Sequence, residues 1–116
     1  MTVQECYERI EADFEGVLGR MGSEAMVKRF ALKFIYDPSY ENLVKAVEEQ
    51  NAEEAFREAH TLKGICLNMG LVRLYKASAC LTERLRGGEF NGYEDAYEKV
   101  QQEYQNTINA IRTIAE

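Results

Sequence analysis

At 116 residues the chain fits one domain, and with 46% hydrophobic residues a packed core is expected and wholesale disorder is not. A net charge of -6 argues against nucleic acid, whose phosphate backbone needs a basic face, and against an anionic membrane surface. No apolar run approaches the ~20 residues of a spanning helix. The opening Met1-Thr2-Val3-Gln4-Glu5 lacks the basic head and apolar stretch of a signal peptide, so a cytoplasmic protein is expected.

A single proline among frequent Ala, Leu, Glu and Lys favours helices over sheets. Val3, Tyr7, Ile10, Phe14, Val17 and Met21 recur every three or four residues. The spacing predicts an amphipathic helix over about 3–19, ended by the Gly19 to Gly22 region. Residues 1–20 are thus read as an accessory helix and 21–116 as a bundle, in one domain over 1–116. Ser23 can cap the next helix, whose apolar positions are Met26, Val27, Phe30, Ala31, Phe34 and Ile35. Asp37-Pro38 interrupts, so that helix should stop near Tyr36 and another start at Pro38; one kinked helix is the alternative. The new segment carries Tyr40, Leu43, Val44 and Val47 on one face and ends near Gln50.

Asn51, with Glu54 as reciprocal partner, should cap a central helix running to about Met69, where Gly70 supplies the stop. At ~100° per residue, Ala55, Ala59, Leu62, Cys66 and Met69 form its buried stripe. His60, the chain's single histidine, lies well off that stripe with Glu53, Phe56, Arg57, Lys63, Gly64 and Leu67. Gly64 costs a helix ~1 kcal/mol relative to alanine. Its presence removes bulk beside the imidazole and suggests that something large approaches closely. A very short connection then turns the next helix back antiparallel. Leu71, Leu74, Ala77, Ser78, Leu81 and Leu85 form its stripe, and Gly87-Gly88 ends it. Asn91, with Glu94 three residues on, should cap the last helix, whose stripe is Tyr93, Tyr97, Val100, Tyr104, Ile108, Ile111 and Ala115. The fold class expected is all-α: an up-and-down four-helix bundle with an additional N-terminal helix. Cys6, Cys66 and Cys80 fit free thiols in a reducing compartment; Cys66 falls on the core stripe, and the other two are read as small packing residues.

His60-Thr61-Leu62-Lys63-Gly64, with Gly70 after five further residues, resembles the signature of histidine-containing phosphotransfer domains. The helix pattern over roughly residues 20 to 115 is similar to that family too. The resemblance implies a phosphorelay intermediate of two-component signalling. His60 would accept a phosphoryl group from the aspartyl phosphate of one response-regulator receiver domain and pass it to another's aspartate. A hybrid sensor kinase would stand upstream. The receivers would bring the magnesium ion and most catalytic groups, so this chain would be a monomeric carrier without a cofactor, not an enzyme. An ATP site is not expected: there is no G-x-x-x-x-G-K-[ST] loop, and Gly87-Gly88 lacks the lysine and hydroxyl it requires.

Such a carrier needs a nucleophile free at neutral pH. Imidazole, with an ordinary pKa of about 6.5, is mostly neutral there. It needs positive charge for the arriving phosphoryl group, which Lys63 at i+3 and Arg57 at i-3 can supply from the two flanks. Phe56 and Leu67 are either edge-of-core residues or docking surface; Arg57 and Glu53 are compatible with a plain surface pair. Many family members carry a glutamine or other polar residue on the following helix to hold the ring; by spacing that position is Thr82 here, and Arg86 lies one turn later at the rim. Two other classes are weighed. A di-metal carboxylate bundle wants Glu-x-x-His on two helices, and the residue three before the single histidine is Arg57. The alternative within the fold is an interaction module that no longer carries phosphate, against which His60, Lys63 and Gly64 stand intact. The initiating Met1 and the extra first helix favour a free-standing protein over a piece of a kinase.

Overall fold

The computed structural model describes residues 1–115. Among them are seven helices and no strand: α1 (Val3–Arg9), α2 (Phe14–Met21), α3 (Glu24–Phe34), α4 (Ser39–Glu48), α5 (Ala52–Met69), α6 (Val72–Leu85) and α7 (Glu94–Arg112). The largest interfaces join α5 to α6, α4 to α5 and α6 to α7, so these four successive helices form the bundle. The α4–α5 and α5–α6 connections are too short for anything but antiparallel neighbours. A face-to-face stack of Tyr40 on Tyr104, 3.7 Å between centroids, ties α4 to α7 and closes the bundle. The expected stripe of α5 is buried as a unit, and buried residues from all seven helices join one core.

The N-terminal segment departs from expectation. Residues 3–19 are not one helix but two, broken at Ile10–Asp13. Glu11 sits in the left-handed region at φ +55, the Ala12 amide donates back to the Tyr7 carbonyl, and Asp13 caps α2 through the Gly16 amide. Thr2 and Glu5 form a reciprocal capping box at the start of α1. The apolar period runs across the break because both short helices turn their apolar sides into the same core. The helix expected to begin at Ser23 is α3, and Ser23 does cap it. Its wide stripe splits: Val27, Ala31 and Phe34 are buried, while Phe30 is left 38% exposed. Helix α3 ends at Phe34 and α4 begins only at Ser39, with turn and non-helical residues between them, which removes the kinked-helix alternative. Pro38 is the residue before the first turn of α4 rather than within it, and the Asp37 carboxylate accepts from the Ser39 amide.

Three further expectations are corrected. Asn91 does not cap the last helix; its amide donates to Glu89, and α7 starts at Glu94 after Tyr93 with no side-chain cap. Glu94 and Asp95 in its first turn complement the helix dipole instead. Ala115, placed on the α7 stripe, is exposed and lies beyond the helix. Cys80 is exposed on α6, whereas Cys6 and Cys66 are buried as expected.

Candidate functional site

The site helix is α5, and its two ends are fixed differently. At its start Asn51 accepts from the Glu54 amide at 3.1 Å. At its end Gly70 takes the left-handed conformation, φ +67, that terminates a helix and that L side chains resist. Of the carbonyls at this helix end, those of Cys66 and Leu67 accept from the Leu71 and Gly70 amides, and those of the next three residues accept from the N-terminal segment. The buried Tyr7 hydroxyl donates to the Met69 carbonyl at 2.8 Å, and the Asp13 amide donates to the Gly70 carbonyl at 2.9 Å. The Arg20 guanidinium donates to the Asn68 carbonyl at 2.9 Å. There is no basic residue in the last turn of α5 itself, so Arg20 brings in the cation that suits the negative end of the helix dipole. Gly70 is also a point of close approach: a Cβ there would press on Val17 and come within 2.8 Å of the Asp13 carbonyl oxygen.

With its stripe buried and its ends held, α5 presents His60 to solvent. Gly64, one turn on, is exposed, and a Cβ built there meets nothing within 4 Å. Nothing inside the chain therefore requires glycine at that position. Lys63 is half-buried and forms no ion pair among the described residues; its charge adds a little to what holds the Glu83 carboxyl low. Arg57 is exposed and pairs with Glu54 at 3.1 Å, not with Glu53. Phe56 is half-buried against the core, and its ring lies nearly parallel to the imidazole, 9° apart with centroids 6.1 Å apart. Leu67 is 60% exposed.

On α6 the two residues named from spacing part company. Arg86 sits at the C-terminal end with its guanidinium carbon 5.2 Å from the centre of the Phe56 ring. Glu83 accepts three hydrogen bonds from it, at 2.7 Å from Nη2 and at 3.2 and 3.3 Å from Nε. The hydrogen bond from Arg86 holds the Glu83 carboxyl below its ordinary range. Thr82 is fully buried, and its hydroxyl donates to the Ser78 carbonyl at 2.7 Å, one turn back on its own helix. It is available neither to the imidazole nor to a partner, which corrects its place among surface-contacting residues. Glu83 is the site residue that spacing missed, although an acid three positions before Arg86 is itself a legible helix pair.

On the other flank of α5, toward its C-terminal end, lies a groove of about 870 Å³ between α2, α3, the α3–α4 connection and α5. Met26, Phe30, Phe34, Ile65 and Met69 line it with Tyr36, and Arg20 and Lys33 stand among them. Tyr36 is 85% exposed. Among the described residues no group of three or more His, Cys, Asp or Glu converges as a metal site, and no helix is long and apolar enough to cross a membrane.

The helical bundle shows one exposed histidine, followed on the same helix by a lysine and a mid-helix glycine. The Hpt domain family model matches residues 37–113, about two thirds of the chain, and the protein belongs to the Hpt domain family. The match covers α4 to α7 and leaves α1 to α3 outside it. No curated protein and no solved structure matches the chain. Family membership carries a general role in histidine phosphotransfer within phosphorelays and interaction with receiver domains.

Proposed function

We propose that His60 is the phosphoryl acceptor and donor of a two-component phosphorelay, receiving from one receiver-domain aspartyl phosphate and passing to another receiver's aspartate. The observation that carries this reading is the bare surface around an exposed imidazole on a helix otherwise held at its buried face and both ends. The unprotonated ring nitrogen attacks phosphorus, an N–P bond forms as the acyl P–O bond breaks, and the receiver's aspartate leaves as a carboxylate. The return step reverses these bonds on a second receiver. Lys63 supplies the nearby cation for the transferring group, and Gly64 admits the receiver's surface. Magnesium and the remaining catalytic groups belong to the receiver; this chain contributes a positioned nucleophile and no cofactor.

Docking in this reading uses Arg57, Leu67 and Arg86 around the histidine, while Phe56, half-buried against the core, takes the edge-of-core role. Docking extends to the groove beside α5, where Phe30 and Tyr36 add exposed apolar surface. A hybrid sensor kinase is the upstream source, and the chain acts as a cytoplasmic monomer. The test is phosphotransfer from receiver domains loaded with acetyl phosphate. The wild type should acquire an acid-labile, base-stable phosphoryl group, and His60→Gln should acquire none. Label that persists in His60→Gln would place the acceptor elsewhere and end the proposal.

A further inference from the structure

The buried hydroxyl of Thr82 leaves the imidazole without the polar support expected from α6, and among the described residues nothing hydrogen-bonds the His60 ring. The ring nevertheless has a neighbour of matching shape. Helical side chains lean toward the N-terminus, so a residue covers the one four positions before it. His60 accordingly lies over Phe56, with planes 9° apart and centroids 6.1 Å apart, within the range of offset-stacked aromatic pairs. We propose that Phe56 is the positioning residue for the His60 imidazole, and that Arg86 and Glu83 in turn hold the Phe56 ring. This deepens the phosphorelay reading and rests on it.

The support for Phe56 comes from two sides. Its ring is half-buried and packs against the core, which limits its own rotamers. The Arg86 guanidinium carbon lies 5.2 Å from its centroid, inside the roughly 6 Å reach of a cation–π contact. Arg86 is in turn paired with Glu83, which accepts from both Nε and Nη2 and favours this placement of the guanidinium. A fixed aromatic face therefore runs from the core to the imidazole, and a stack replaces the hydrogen bond as the means of orienting it. On a helix the preceding turn closes the +60° well, so an unsupported imidazole has two χ1 wells and two broad ring orientations, about four arrangements in all. If one of them is productive, loss of the support lowers the transfer rate about two- to fourfold, with docking unaffected.

The test uses the whole chain and two variants. Phe56→Leu keeps apolar bulk and removes the flat face; Phe56→Tyr keeps the face. By NMR the wild type should show nuclear Overhauser contacts between the two rings and His60 χ1 couplings of a single rotamer. Phe56→Leu should average those couplings, and Phe56→Tyr should restore them. Among receiver domains charged with acetyl phosphate, the one that discharges fastest to the wild type is then used for single-turnover transfer. Phe56→Leu should lower the first-order transfer rate about two- to fourfold at unchanged receiver affinity, and Phe56→Tyr should recover it. Unchanged couplings in Phe56→Leu would overturn the proposal. So would a loss of affinity with the first-order rate intact, which would make Phe56 a docking residue. A wild type that shows the ring contacts and single rotamer but takes phosphate from no receiver would support the stack and fail the relay reading alone.

Discussion

Gly64→Gln separates a glycine kept for a partner from one kept for the chain's own packing. A Cβ at Gly64 meets nothing within 4 Å, and the residue is exposed, so the substitution adds no clash within the monomer. Replacing a mid-helix glycine by a good helix former should stabilise the fold by about 0.5–1 kcal/mol. For a chain of this size about 4 °C accompanies each kcal/mol, so melting should rise by roughly 2–4 °C. Against a docked receiver the same side chain fills the space one turn from His60. Overpacking a close contact costs about 1–3 kcal/mol, which corresponds to roughly five- to 150-fold weaker binding. Thermal denaturation by circular dichroism and receiver titration by calorimetry read the two effects with opposite signs. A variant that melts higher and still binds and transfers normally would show that close approach is not why glycine stands there, and the docking face drawn around it would be wrong.

Lys63→Ala should leave the nucleophile intact but remove its nearest cation. If that cation makes one charge-assisted hydrogen bond in transfer, worth about 1.5–3 kcal/mol, single-turnover phosphotransfer should slow by roughly ten- to a hundred-fold; an unchanged rate would make it a plain surface lysine. Tyr7→Phe leaves the buried Met69 carbonyl without its 2.8 Å donor, at a cost of about 1–3 kcal/mol. Melting should fall by roughly 4–12 °C, with faster amide exchange over the last turn of α5 and transfer chemistry retained; loss of transfer in a folded variant would instead make α1 part of the docking surface. In native protein at pH 8, iodoacetamide should label Cys80 alone. Cys80 is exposed, whereas burial shields Cys66 and pushes the Cys6 thiol up to about 11, so mass spectrometry detecting native-state labelling of Cys6 would contradict the core described here.

The face that carries His60 was legible because α5 is long and its stripe obeys one period from Ala55 to Met69. With that stripe buried, His60, Gly64 and Leu67 opposite it are exposed, while Phe56 and Lys63 on the flanks are half-buried. The break between α1 and α2 was hidden for a related reason. Val3, Tyr7, Ile10, Phe14 and Val17 keep a helical rhythm while Glu11 takes the left-handed conformation and interrupts the helix, since a periodic pattern reports which side is buried and not whether the backbone is continuous. The signal that marks the break, Asp13 before Phe14, is polar and short. Thr82 failed differently. Spacing placed it beside the histidine's helix, but a threonine hydroxyl reaches its own backbone four residues back more readily than a neighbouring ring.

Least legible was the attachment of the N-terminal helices to the end of α5. Two of the acceptors there are the backbone carbonyls of Met69 and Gly70, and one of the donors is the Asp13 amide, none of which has a residue type to announce it. Yet this attachment bears on the site. Gly64 opens the approach to His60 and, by the same freedom, weakens α5 by about 1 kcal/mol near its C-terminal half. Tyr7, Asp13 and Arg20 hold successive carbonyls just beyond that weak point, and hydrogen bonds of this kind contribute about 0.5–1.5 kcal/mol each. Together they offset the glycine without placing any atom on the exposed face. A bare, glycine-lined surface and a well-ordered helix are competing demands on one segment. In this chain the three helices outside the family match, through α1 and α2, reconcile them from the far end of the helix.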